Sequence, residues 1–135
     1  MHRGEIRLVA FEPSSGQEAN KRRPAILVSN DAANSMAQAL GRGVVTVIPL
    51  TSKTDRVMPF QILLLASQTG LPKDSKAQAE QIRSVSITRV GAKVGIVPHD
   101  VMKLVEDAIR LQLALDYSLA SSSRSAWPTS SSGMP

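Results

Sequence analysis

The apolar residues of this chain fall in short runs, and proline, glycine or polar turn residues close most of those runs before a long helix could form. Glu5–Ala10 (E-I-R-L-V-A) partly alternates and suits a strand with one wet face. Ala25–Ser29 (A-I-L-V-S) and Val44–Leu50 (V-V-T-V-I-P-L) are near-continuous, the pattern of buried strands, and Pro49 ends the second. Phe60–Ala66, Ala79–Val85 and Ala92–Val97 read as further strands, with Gln68–Lys76 a turn-rich link. Asn30 and Asp31 offer an N-cap for a short helix over Ala32–Leu40, broken by Gly41-Arg42-Gly43. One segment is helical over a longer span. Pro98 suits a first helical position and Asp100 complements the helix N-terminus. Val101, Leu104, Val105, Ala108, Leu111 and Leu115 then recur at spacings of three and four. Met102, Ile109 and Leu113 widen this stripe enough for burial against the sheet and against a second subunit. Strands and helices do not alternate as β-α-β units. The expected class is α+β, a mostly antiparallel, strongly bent sheet or small barrel with a long C-terminal helix.

Composition narrows the chemistry. With 135 residues, 42% of them apolar, the chain can bury one core without a metal or disulfide staple. Cysteine is absent, which excludes thiolate zinc sites and cysteine nucleophiles. His2 and His99, the two histidines, lie at opposite ends of the sequence, so a multi-histidine metal centre is excluded and no cofactor is expected. No apolar run approaches the ~20 residues of a membrane span, so the expected location is the cytoplasm, with no membrane partner. Residues 1–97 carry 13 basic and 7 acidic side chains, against 3 and 4 in residues 98–135. A basic body points to a polyanionic partner, nucleic acid being the commonest. Residues 119–135, mostly Ser, Pro, Gly and Ala, are expected to be a disordered tail that contains Trp127, leaving residues 1–118 as the domain.

Three segments concentrate polar and cationic residues. Glu18–Pro24 (E-A-N-K-R-R-P) ends a long loop, and Arg23 is biased toward extended geometry by Pro24. Leu50-Thr51-Ser52-Lys53 places hydroxyls and a cation after a buried strand. Glu80-Gln81-Ile82-Arg83 is expected on a strand, with Gln81 and Arg83 on one face. Each also fits a plain solvated turn or a half-exposed strand. RNA suits such a residue set because it carries its own nucleophile, the 2′-OH. The protein has to manage protons and neutralise a phosphorane, and arginine does the second well.

In order, the segments resemble the MazF/PemK/Kid family of toxin endoribonucleases over residues 3–116. The chain reads R-G-E-I-R-L-V-A-F-E-P at 3–13, G-Q-E-A at 16–19, R-P-A-I-L-V-S-N-D at 23–31 and V-I-P-L-T-S-K at 47–53. It continues P-F-Q-I-L-L at 59–64, G-L-P-K-D-S at 70–75 and A-E-Q-I-R-S-V at 79–85. The resemblance implies a small SH3-like barrel with a C-terminal helix, forming a homodimer. It implies metal-independent, sequence-specific cleavage of single-stranded RNA to a 2′,3′-cyclic phosphate and a 5′-hydroxyl. By the same resemblance Arg23 and Thr51 are catalytic, with Ser52 adjacent, and Glu18 is the loop glutamate; Lys21, Arg22, Lys53, Gln81 and Arg83, from the three segments above, are expected with Ser52 and Glu18 to bind or support the RNA. It also implies a cognate MazE-like antitoxin, with operator DNA bound only through the toxin–antitoxin complex. The family tryptophan of the first strand is Arg7 here, the following aspartate is Ala10, and the loop Gln-Gly is Ala19-Asn20. A same-fold poison of a protein such as DNA gyrase, or an inactive RNA-binding module, is the alternative.

Overall fold

The computed structural model describes residues 1–12 and 21–115. Glu18, most of the loop that carries it and the tail assigned to 119–135 lie outside the described residues. Seven strands and three helices follow one another as β1 (Glu5–Val9), β2 (Arg23–Leu27), α1 (Asp31–Leu40), β3 (Val44–Thr51), β4 (Gln61–Leu64), α2 (Ala66–Thr69), β5 (Ser75–Gln78), β6 (Arg83–Ser86), β7 (Val90–Ile96) and α3 (His99–Leu113). Every strand pairing is antiparallel, in the order β4-β5-β3-β2-β1-β7, with β6 also on β3.

The near-continuous apolar runs are explained by cores on both faces of the sheet. Ile26, Val28, Ile48 and Leu50 pack with Ile6 against Val101, Met102, Val105 and Ala108 of α3. The alternate residues Ala25, Leu27, Val45 and Val47 pack with Val9 against Ala37 of α1. Helix α1 is capped as its sequence suggests: the Asn30 side chain accepts from the Ala33 N–H, and Gly41 closes the helix in the left-handed region. At α3 the reading shifts by one residue, since Pro98 is the N-cap and His99 the first helical residue.

Strand β3 organises the sheet. One edge takes β2; the other is shared by β6 over Val44–Val47 and β5 at Leu50 and Thr51. The β5 and β6 registers against β3 are offset by three residues, and the 3-10 turn Ala79–Gln81 takes up that offset. The continuous strand expected over Ala79–Val85 is therefore wrong. Periodicity could not reveal it, because the turn exists only to let one chain pair with two stretches of β3. Further boundaries differ: β2 spans Arg23–Leu27 rather than Ala25–Ser29, and β3 runs through Pro49 to Thr51 instead of ending at the proline. The link expected over Gln68–Lys76 contains the start of β5, and β7 begins at Val90 rather than Ala92. Gly91, Ala92 and Gly95 are poor strand formers, held in β7 by tertiary pairing.

Only part of the α3 stripe is covered. Leu104, Leu111 and Leu115 stay 52%, 46% and 52% exposed, beside the buried face rather than in it.

Candidate active site

Three chain segments that are distant in sequence meet at one end of the sheet. They are the start of β2, the end of β3 and the turn that leads into β5. Together they line a cleft of about 380 Å³. The mouth of β2 contributes Arg22, Arg23 and Pro24; the end of β3 contributes Leu50, Thr51, Ser52 and Lys53. The β2–β3 register ends at the pair Ala25 and Pro49, and the residues two further along each strand, Arg23 and Thr51, both line the cleft. Neighbouring strands lie about 5 Å apart, so both side chains can reach one phosphate. Neither local segment carries this information; the antiparallel pairing creates it.

Thr51 is prepared to donate. Its Oγ1 accepts the Lys53 backbone N–H at 3.3 Å, which leaves the hydroxyl proton to point elsewhere. The third wall is the turn Leu71-Pro72-Lys73, followed by Ser75. Leu71 is anchored in the α3-side core, and its N–H donates to Thr69 Oγ1 at 3.1 Å. Asp74, the carboxylate of this turn, is directed to the start of α2, where Oδ1 accepts the Ala66 N–H at 2.7 Å. Lys73 is left at the cleft without a neighbouring acid. Among the described residues the lining holds four cations (Arg22, Arg23, Lys53, Lys73) and no carboxylate, with Leu50, Leu71, Pro24 and Pro72 as its apolar part. Among the described residues no salt bridge engages any of the four. The arrangement can grip a phosphate, with forked and point-charge donors and one hydroxyl.

Of the expected site residues, Arg22, Arg23, Thr51, Ser52 and Lys53 come together here. Lys21 is exposed on the chain just before them, and Glu18 lies outside the described residues. Gln81 and Arg83 are not in the cleft. Gln81 is exposed on the 3-10 turn, while Arg83 is on β6 opposite Val47, its guanidinium 5.1 Å from the centre of the Phe11 ring. They do not share a strand face, because the turn ends before β6 begins. Lys73 was missed as a site residue. Its signal was topological: β5 pairs Lys76 with Thr51, so the turn before β5 must pass the end of β3.

Arg7, at the family's tryptophan position, is held within the fold. Its Nε donates to Glu5 Oε1 at 2.9 Å and its Nη1 to the Gly91 carbonyl at 3.0 Å. Burial pushes the Glu5 carboxyl up, but the Arg7 hydrogen bond and charge, with the His2 backbone, outweigh it and hold Glu5 below its ordinary value. Nearer the β4 end, Glu80 Oε2 accepts from Gln61 Nε2 at 2.8 Å, and Gln61 Oε1 takes the Met58 N–H at 3.0 Å. This closes the loop after Thr51 back onto the sheet; Lys76 Nζ does the same through the Arg56 carbonyl at 2.6 Å.

A family model described as the PemK-like, MazF-like toxin of type II toxin–antitoxin systems matches residues 2–113. The chain belongs to this family. Endoribonuclease MazF9 of Mycobacterium tuberculosis (strain ATCC 25618 / H37Rv) is 50% identical to the toxin over 115 residues, which cover 85% of this chain and 98% of the relative. An endoribonuclease in complex with its cognate antitoxin, from a mycobacterial species, superposes with a TM-score of 0.67 at 21% identity, covering 87% of this chain and 98% of that one. MazF from Deinococcus radiodurans gives 0.64 at 25% identity, covering 85% and 97%. The α+β fold of the toxin, an antiparallel sheet with a C-terminal helix, is the fold of these proteins. No helix among its described residues is long and apolar enough to cross a membrane.

Proposed function

We propose that this MazF-family toxin is an endoribonuclease that cleaves single-stranded RNA at specific short sequences, without a metal ion. The observation that carries the reading is the meeting of Arg23 and Thr51 in one cleft whose described lining holds four cations and no carboxylate. In the reaction the ribose 2′-oxygen attacks the adjacent phosphorus. A 2′-O–P bond forms and the P–O5′ bond breaks. One proton leaves the 2′-oxygen and one arrives at O5′, giving a 2′,3′-cyclic phosphate and a 5′-hydroxyl. Arg23 holds the non-bridging oxygens as negative charge builds on the phosphorane. A guanidinium keeps its positive charge, so charge stabilisation, rather than proton abstraction, is its task. The Thr51 hydroxyl donates to one of the same oxygens. Arg22, Lys53 and Lys73 draw the strand into the cleft, and Ser52 and Lys21 support it; Glu18 is assigned a supporting role by the family resemblance alone. Three or four phosphate contacts correspond to a log–log salt slope of about −2 to −3 for single strands.

The same cleft suits an antitoxin. An acidic and apolar segment of a MazE-like partner matches a cationic rim over an apolar floor, and its ordering on the toxin would block RNA. Operator DNA is then contacted by the antitoxin of the complex. The exposed Leu104 and Leu111 lie on one face of α3, with exposed Leu115 just past its end, and suit a second copy, so the working form is a homodimer acting on transcripts in the cytoplasm.

The test is cleavage of a mixed-sequence RNA by the purified protein in EDTA, with fragment ends sequenced. Discrete fragments with 5′-hydroxyl ends, absent with Arg23→Ala, are expected. Intact RNA at enzyme excess, from folded protein, would overturn the reading.

A further inference from the structure

We propose that Gly91 is a seat for the Arg22 guanidinium, and that the seated guanidinium, with Lys93 nearby, holds a second backbone phosphate of the RNA, flanking the one at Arg23 and Thr51. This rests on the RNA-cleaving reading and extends it from one phosphate to two.

The seat is built by an irregularity of β7. Against β1, Arg7 pairs with Lys93 but Val9 pairs with Val90, so Gly91 and Ala92 form a bulge. Bulges bend a strand and re-aim side chains, and they are over-represented next to active sites. A Cβ on Gly91 would collide with Arg22 Nη1, and it would stand 3.3 Å from the Leu8 carbonyl. Gly91 is not among the glycines with positive φ, so the backbone itself does not demand glycine there. What the missing side chain supplies is room, and the guanidinium fills it.

Arg22 thus touches two places. It lines the cleft beside Arg23, and it reaches across β1 to β7. Strands β2 and β7 flank β1 and lie about 9–10 Å apart, so the seat is displaced from the Arg23–Thr51 position by the width of a strand pair. Among the described residues no salt bridge engages Arg22. Arg7, which donates to the Gly91 carbonyl, is already neutralised by Glu5, whereas Lys93, directly opposite Arg7, is exposed. Seating also restricts the rotamers of a long side chain before the ligand arrives, which lowers the entropic cost of binding.

Gly91→Ala tests the seat. The added methyl displaces the far end of a flexible side chain and asks the Leu8 carbonyl to yield by a few tenths of an ångström, so the sheet is expected to survive with at most a small drop in melting temperature. On a long RNA, KM should rise roughly tenfold, the cost of one charge-assisted contact, with kcat retained. The salt slope of kcat/KM should become shallower by about 0.7, one phosphate contact. Arg22→Gln should reproduce both changes, and the double variant should be no worse than either alone. On a substrate trimmed of the flanking phosphate the difference should vanish. Wild-type KM and slope in a folded Gly91→Ala protein, or additive effects in the double variant, would overturn the proposal. If Gly91→Ala fails to fold, the KM, slope and trimmed-substrate measurements on Arg22→Gln decide. Failure of the wild type to cleave RNA at all would instead remove the RNA reading, and this proposal with it.

Discussion

Arg3 and Arg7, near the N-terminus, are tied into the fold. Arg3 donates to the Val28 carbonyl at 2.8 Å and to Glu106 at 2.7 Å, joining β2 to α3; Arg7 spans Glu5 and the Gly91 carbonyl. Arg22 and Arg23, at the mouth of β2, are exposed and face a cleft whose described lining holds no acid. The same residue type does opposite jobs on one sheet. Where its donors are consumed by carbonyls and carboxylates, arginine is a strut. Where they are left in water beside other cations, it raises the potential of the cleft and waits for an anion. Composition counts all four alike; their partners separate them.

That contrast can be broken or sharpened by substitution, beginning with the largest expected effect. Arg23→Ala should reduce RNA cleavage by at least about 10²–10³, the scale of losing a transition-state donor. The same change should leave the melting temperature level or slightly raised, because it relieves like-charge repulsion. A destabilised Arg23→Ala protein would make Arg23 a strut, and the division would collapse. Thr51→Val should cost about 10² in kcat, less than Arg23→Ala, because it removes a neutral donor. Single-turnover rates would check the order.

Substitutions among the struts should move stability instead. Glu5→Gln leaves Arg7 without its anion in a place where Glu5 is only 6% exposed. The cost expected in urea unfolding is about 2 kcal/mol, below the ~3–5 of a fully buried pair because Arg7 keeps some solvent access. A depressed carboxyl also sets the pH dependence. The folded state binds its proton more weakly than the unfolded state, so the stabilisation is complete above the usual glutamate pKa of ~4.3 and is lost as pH falls through the lower folded value. Between about pH 5 and 3 the wild type should lose stability faster than Glu5→Gln; parallel curves would contradict the assignment. Arg3→Ala should have the smallest effect, about 1 kcal/mol, since both side chains of its ion pair are about one-third exposed. Its cleavage rate at 25 °C should match wild type, and a rate defect would show that the two groups of arginines are coupled.

Several features could be read before any coordinates. The two-faced burial of β2 and β3 was written in near-continuous apolar runs, and α1 in Asn30 and Gly41. Arg23 before Pro24 and Thr51 at a strand end were visible as candidates, although each alone also fitted an ordinary turn. Other features could not be read. The stretch Ala79–Val85 has strand-like residues, yet its first three form a turn that reconciles two registers on β3. Lys73 looked like any loop lysine until β5 was paired with Thr51.

By itself the sequence determined which segments could bury their side chains, where helices could be capped, and that cations and hydroxyls rather than thiols or imidazoles would carry any chemistry. Those properties are local, set by side-chain volume, backbone preference and charge. Tertiary pairing alone brings Arg23 and Thr51 to one cleft, lets Lys73 close it, spends Arg7 on Glu5 and rests Arg22 over Gly91. Those facts depend on strand register and on a bulge. Register is settled by the sum of packing on both faces of the sheet, which no single segment contains.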